Sequence, residues 1–215
     1  MRWDDRSWRI YGRLARRDGW GMMAKQAGAI TIARHGEPAL SRDVRLNAAG
    51  YEAFWAAYEA GGLKPGQAAP DHLIETAAKA DVVFVSTRRR AVESARILVG
   101  NRKIVQDVRL IEAPLPSPPF PSALRMSPRL WGFFARFWWW CFNHNKGQET
   151  RAQASARARA AAADISATAD EGKTVLVIAH GFFNAMLGVE LRRLGWCRTW
   201  GRGWKYWSTR RYERT

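Results

Sequence analysis

The sequence predicts an α/β fold, a three-layer sandwich with a mostly parallel central sheet flanked by helices. Two observations carry this expectation. Short apolar, β-branched runs at residues 29–33, 81–86 and 174–178 alternate with helical patterns, as in strands joined by crossovers. Each run also ends in a polar cluster, and open parallel sheets bind ligands at the carboxyl ends of their strands.

Taken in order, Ala-Ile-Thr-Ile-Ala at 29–33 reads as the first strand and runs into Arg34, His35, Gly36 and Glu37. Residues 47–60 carry Tyr51, Phe54, Trp55 and Tyr58 at spacings of three and four, the stripe of an amphipathic helix. Gly61 and Gly62 stop it. A loop with Pro65, Gly66 and Pro70 precedes a helix over about 71–80. The run at 81–86 is a second buried strand, continuing through Arg88, Arg89 and Arg90 into a helix that ends near Val99. A short third strand fits 103–105. Six prolines between Pro114 and Pro128 exclude a regular element there. Residues 130–142 form an aromatic helix. The Ala- and Arg-rich stretch 149–169 favours a long one. Val-Leu-Val-Ile closes the fourth strand at 178, and a helix follows His180 and Gly181 over about 182–194. The tail from Gly195 is aromatic and basic.

The 215 residues fit one domain with room for an insertion. Residues 1–28 read as a basic extension ahead of it, open to disorder, with Met22 or Met23 as an alternative start. The domain covers 29–215, with an aromatic, proline-rich cap insertion at about 113–147. The segment 1–28 lacks the apolar core of a secretory signal. No run reaches the ~18 apolar residues of a membrane span. With two cysteines and no paired spacing, a cytoplasmic location is the simpler expectation. The formal charge of +16 favours anionic partners of some kind.

Three polar clusters end three apolar strands: residues 34–37, residues 86–90, and His180 with Gly181. Phosphoryl transfer through an imidazole needs such residue types. The attacking ring must be neutral, and neighbouring guanidiniums favour that state. Fixed donors must take up charge spread over the phosphoryl oxygens. Arginine suits this by its planar fork and permanent charge. The leaving alkoxide needs a proton, hence a carboxylic acid.

These residues resemble the histidine phosphatase superfamily (phosphoglycerate mutase-like). Arg34-His35-Gly36-Glu37 after a strand is similar to its first motif. Ser86, Arg90-Ala91 and Ser94 are similar to its second, and a strand ending in His180-Gly181 to its third. Leu46-Asn-Ala-Ala-Gly50 resembles the start of its first helix. The likeness spans about 29–194. It implies His35 as phosphoryl acceptor and Arg34, Arg90 and His180 as phosphate ligands. It further implies Gly36 and Gly181 as close-approach, phosphate-binding positions. The acid is expected at Glu112, with Asp107 second and Glu37 third.

The resemblance implies a metal-independent phosphatase of histidine acid phosphatase type. It would hydrolyse a phosphate monoester through a phosphohistidine and need no cofactor. The partner expected is a phosphorylated small molecule, with neither nucleic acid nor membrane required. The alternatives are a phosphoglycerate mutase-like transferase or a non-catalytic basic, aromatic binding protein on the same fold. The mutase ranks lower because the Trp-Asn expected after its first motif is absent from residues 37–41. His72 and His144 have no motif around them and read as surface residues. Arg151, Arg157 and Arg159 read as an exposed helix face. The aromatic segment is expected as a lid. The tail, with Trp196, Trp200, Trp204 and Trp207 among arginines, is expected to pack on the domain under arginine stems.

Overall fold

A computed structural model describes residues 28–201 and 203–214. The extension expected at the amino terminus, up to residue 27, lies outside the described residues. In chain order the elements are β1 (Ile30–Arg34), α1 (Ala48–Ala60), α2 (Asp71–Lys79), β2 (Val82–Ser86), α3 (Arg89–Val99) and β3 (Val105–Asp107). Then come α4 (Pro128–Phe142), α5 (Arg151–Asp170), β4 (Val175–Ala179), α6 (Gly181–Arg193), β5 (Cys197–Trp200) and β6 (Thr209–Glu213).

The six strands form one mixed, mostly parallel sheet in the order β3-β2-β4-β1-β6-β5. β1 to β4 pair in parallel, while β6 runs antiparallel to β1 and β5 antiparallel to β6. Alternation along β4 supplies both faces of the sandwich. Val175, Val177 and Ala179 pack with α5 and α6, through residues such as Ile165, Phe183 and Leu187. Leu176 and Ile178 face α2 and α3, meeting Leu73, Ala77, Ala95 and Leu98. Every residue of β4 is buried, which suits a central strand covered on both sides.

Local signals set the helix ends. Asn47 caps α1 by accepting from the Gly50 amide. Ser127 caps α4, with Pro128 in its first turn. Thr150 and Gln153 form a reciprocal capping box on α5. The proline-rich stretch has no helix or strand of its own, but Leu46 and Met126 exchange backbone hydrogen bonds of 2.9 and 3.0 Å. That pairing holds α4 beside α1. Tyr51, Met126, Trp131 and Ala135 then make a third, smaller core, with the Tyr51 and Trp131 rings stacked at 5.5 Å.

The two carboxyl-terminal strands are the main departure from the sequence reading. The tail packs on the domain through buried Trp196 and Trp207, and Arg210 and Arg214 lie over Trp204 and Trp196 at 5.1 and 4.7 Å, but Trp200 and Trp204 stay more than half exposed, contrary to the expectation. The tail also forms a hairpin that extends the sheet, with Thr209 and Tyr212 turned inward. A strand written Thr-Arg-Arg-Tyr-Glu has no apolar run; pairing with β1 settles its conformation. The short strand expected at 103–105 lies instead at Val105–Asp107, paired with Phe84–Ser86.

Candidate active site

Strand order brings the polar clusters together. β4 lies between β1 and β2, in register Arg34 with Ala179 and Val85 with Ile178. The residues one step beyond therefore emerge side by side: His35 from β1, His180 from β4, and Ser86 at the end of β2. The ring centroids of His35 and His180 are 5.0 Å apart, edge to face, and both side chains are buried.

His35 is held by its own turn. Its Nδ1 lies 2.7 Å from the carbonyl of Gly36, so Nδ1–H donates and Nε2 keeps its lone pair. Nε2 then accepts from Nε of Arg90 at 3.3 Å. Burial first, then the charges of Arg90 and Arg34, hold the His35 imidazole well below its ordinary pKa. His180 is shifted the same way by burial, by His35 and by Arg90. Its Nε2 is 2.8 Å from Ser86 Oγ, and its Nδ1 is 3.3 Å from Nη2 of Arg90. An Nδ1 accepting from Arg90 leaves Nε2–H to donate to Ser86.

Arg90 is the hub. Fully buried in the first turn of α3, it donates to the Tyr58 carbonyl at 2.8 Å and to Glu59 Oε1 at 2.7 Å, besides touching both imidazoles. The ring of Tyr58 lies 4.7 Å from its guanidinium carbon. Ser94 joins this turn to β1: its Oγ accepts from the Gly36 amide at 2.9 Å and donates to the Arg90 carbonyl at 2.7 Å. Arg34 stacks on Tyr206 at 4.4 Å and donates through Nη1 to the Trp204 carbonyl. Its buried Nε has no hydrogen-bond partner among the described residues, an arrangement that suits an incoming anion.

A cavity of about 290 Å³ opens over these groups. Arg34, Arg42, Arg90, Arg129 and Arg136 line it, and Glu112 is the one carboxylate among the described lining residues. The excess of cations favours an anionic occupant. Glu112 caps α6. Its two carboxylate oxygens accept from the amides of Phe182 at 3.1 Å and Phe183 at 2.9 Å. Of the three acids considered from the sequence, Glu112 alone lines the cavity. Asp107 is engaged by Arg109 at 2.7 Å, and exposed Glu37 faces Lys64 at 3.8 Å.

The two glycines differ. Gly181 lines the cavity, and a side chain there would touch the Arg34 guanidinium at 3.4 Å. Gly36 is pressed from behind: a Cβ would come within 2.5 Å of the Trp207 ring and 2.4 Å of Gln67 Oε1. Its amide is taken by Ser94, so its missing side chain makes room for the tail. Trp207 adopts a left-handed backbone, φ 61°, to reach that place, a strained state for a bulky residue.

Glu59, Arg42 and Tyr206 were not singled out from the sequence. A lone glutamate on an amphipathic helix carries no mark separating it from a solvated face, and the other two lie in irregular segments. His72 and His144 stay outside the cavity, bonded to Thr209 and the Ser117 carbonyl. Arg151 and Arg159 are exposed as expected. Arg157 differs: it grips Glu149 and the carbonyls of Arg109 and Ile111 beneath the sheet edge. No helix among the described residues is long and apolar enough to cross a membrane.

Comparison with solved structures gives the same fold at low identity. A phosphoserine phosphatase variant from Entamoeba histolytica, bound to phosphoserine, superposes with a TM-score of 0.51 at 15% identity, covering 77% of this chain and 80% of that one. A phosphoglycerate mutase from Bacillus anthracis gives 0.51 at 16% identity, covering 87% and 88%. The sequence matches no curated protein. The family model of the histidine phosphatase superfamily (branch 1) matches residues 30–215, which takes in every strand and helix named above among the described residues. The chain therefore belongs to the histidine phosphatase superfamily, branch 1.

Proposed function

We propose that the protein is a phosphomonoesterase working through a phosphohistidine on His35. The observation that carries this reading is the tautomer lock. With Nδ1–H tied to the Gly36 carbonyl, Nε2 of His35, a residue of the cavity lining, keeps the ring's lone pair and accepts from Arg90 Nε at 3.3 Å, a contact that an incoming phosphate displaces. A buried, neutral imidazole next to fixed cations is an activated nucleophile.

The reaction runs in two steps. Nε2 of His35 attacks phosphorus, the P–O bond to the alcohol breaks, and Glu112 gives its proton to the departing oxygen. Water then attacks the phosphohistidine, with Glu112 taking the proton back, and inorganic phosphate leaves. Arg34 takes a transferring oxygen on its unpartnered Nε, and Arg90 and His180 reach the others by releasing their contacts with His35 Nε2 and Ser86 Oγ. The N-terminus of α6, capped by Glu112, adds a favourable dipole. Both similar folds named above are phosphoryl-handling proteins, which accords with this chemistry but does not choose between hydrolase and mutase.

The test is turnover of 4-nitrophenyl phosphate in excess chelator, with trapping of labelled enzyme at neutral pH. Label on His35 and release of inorganic phosphate are expected, with both lost in His35→Ala. Undiminished turnover in that variant would sink the proposal. Transfer of label to a second hydroxyl in place of water would assign a mutase.

A further inference from the structure

We infer that the substrate is an amphiphile, a phosphomonoester whose alcohol carries a long apolar chain seated along the outer face of α4. The inference rests on the phosphomonoesterase reading above and specifies its leaving group.

The two faces of α4 have different fates. Trp131, Ala135 and Trp139 are fully buried. On the opposite side Phe133, Phe137 and Trp140 are 64%, 45% and 45% exposed. Spacings of four and three keep them on one stripe. Large aromatics left in water as a contiguous stripe mark a place where something apolar binds. Here they line a shallow hollow of about 350 Å³, closed by Arg136, Cys141 and Phe182. A second hollow of about 210 Å³ adjoins it across Trp140 and Phe182 and reaches Met186 and Val189 of α6.

The occupant follows from where the hollow begins. Arg136 and Phe182 stand in the wall of the catalytic cavity and in the wall of the first hollow. The Arg136 guanidinium lies 3.9 Å from the Phe182 ring and is held by the carbonyls of Ala113 and Pro114 at 3.2 and 3.3 Å. Phe182 follows His180 by two residues. A chain esterified to the transferring phosphate leaves the cavity over this ridge and meets aromatic carbon at once. From Phe133 to Trp140 the helix runs about 10 Å at ~1.5 Å per residue, room for an octyl chain. Polarity changes in the same direction. Five guanidiniums surround the cavity, and Arg136 is the one charge lining the first hollow. That gradient, from cationic to aromatic, is the complement of an anionic head on an apolar tail.

The test is kcat/KM for butyl, hexyl, octyl and decyl phosphate below their micelle concentrations. It uses the full chain, Phe137→Glu, and Ile97→Glu as a control. Ile97 is 44% exposed on α3, away from the cavity and both hollows. The expected rise from butyl to decyl is at least roughly thirtyfold, below the ceiling of about fourfold per fully buried methylene. The decyl-to-butyl ratio collapses by about tenfold in Phe137→Glu, since a charge is set against the tail. It stays at the wild-type value in Ile97→Glu. Because the ratio is taken within each protein, a general loss of activity does not alter it.

A flat series in an enzyme that turns over butyl phosphate overturns the inference, as does a ratio indifferent to Phe137→Glu. A flat series with dimerisation, or with binding to anionic vesicles, that Phe137→Glu abolishes would assign the stripe to a second copy or to a bilayer. Failure to hydrolyse any ester in the series overturns the inference if 4-nitrophenyl phosphate is still turned over, and sinks the phosphomonoesterase reading if it is not.

Discussion

Nε of Arg90 stands 3.3 Å from Nε2 of His35, although 55 residues separate them in the chain. The same guanidinium reaches His180 Nδ1 through Nη2 at 3.3 Å and Glu59 Oε1 at 2.7 Å. One buried fork thus orients both imidazoles, and one carboxylate orients the fork.

Glu59 is therefore expected to act as a positioning residue. Its other oxygen pairs with Arg88 at 2.7 Å, so the carboxylate serves two cations. In Glu59→Gln the geometry loosens while the guanidinium stays buried. The expected loss is about 1–3 kcal/mol of stability, since an ion pair becomes a hydrogen bond from the cation to a neutral amide. A drop of roughly tenfold to a hundredfold in kcat should accompany it, with KM changing less, because the reacting groups are misplaced rather than removed. Urea unfolding and steady-state kinetics check the two parts. Glu59→Asp should recover part of kcat, whereas unchanged kcat in Glu59→Gln would refute the role.

Stability should fall on mild acidification. Burial and neighbouring positive charge depress both His35 and His180 in the folded chain. In the unfolded chain they titrate near 6.5. Between the folded and unfolded values the unfolded state binds more protons, so stability decreases as pH drops below about 6.5 and is complete above it. Two such groups give a slope of up to about 2.7 kcal/mol per pH unit. Denaturant unfolding at pH 7.5, 6.5 and 5.5 measures it. His180→Gln should remove close to half of the slope, and equal slopes in the two proteins would contradict this account.

Glu112 should matter most when the leaving group is poor. Glu112→Gln keeps an acceptor oxygen for one of the two amides of Phe182 and Phe183 and turns its NH2 toward the other, so α6 stays half capped; comparing two substrates within the variant cancels that common effect. General acid catalysis contributes about 10²–10⁴-fold. The variant should lose a factor of that order with alkyl phosphates and far less with 4-nitrophenyl phosphate, whose phenolate needs little help to depart. Equal losses with both substrates would point away from proton donation.

Much of the fold was legible because its central strands β1, β2 and β4 are buried. Buried parallel strands need unbroken apolar runs, and residues 82–85 and 175–178 are such runs. The helices showed through their stripes and caps. The hairpin of β5 and β6 did not, since β5 is an exposed edge and β6, though paired on both sides, is written Thr-Arg-Arg-Tyr-Glu with no apolar run. The site was legible where its chemistry is concentrated in consecutive residues, as in Arg34-His35-Gly36. It was illegible where a single side chain is recruited from a distant segment, as with Glu59, Arg42 and Tyr206.

Sequence by itself determined the alternation of strands and helices and the residue types at each strand end, because hydrophobic periodicity and local capping act over a few residues. Only the tertiary structure decided that β4 slides between β1 and β2, that Glu112 rather than Asp107 or Glu37 lines the cavity, and that Gly36 yields its space to Trp207. Those outcomes depend on which surfaces pack together across the whole chain, and the free energy of such packing is written in no short stretch of residues.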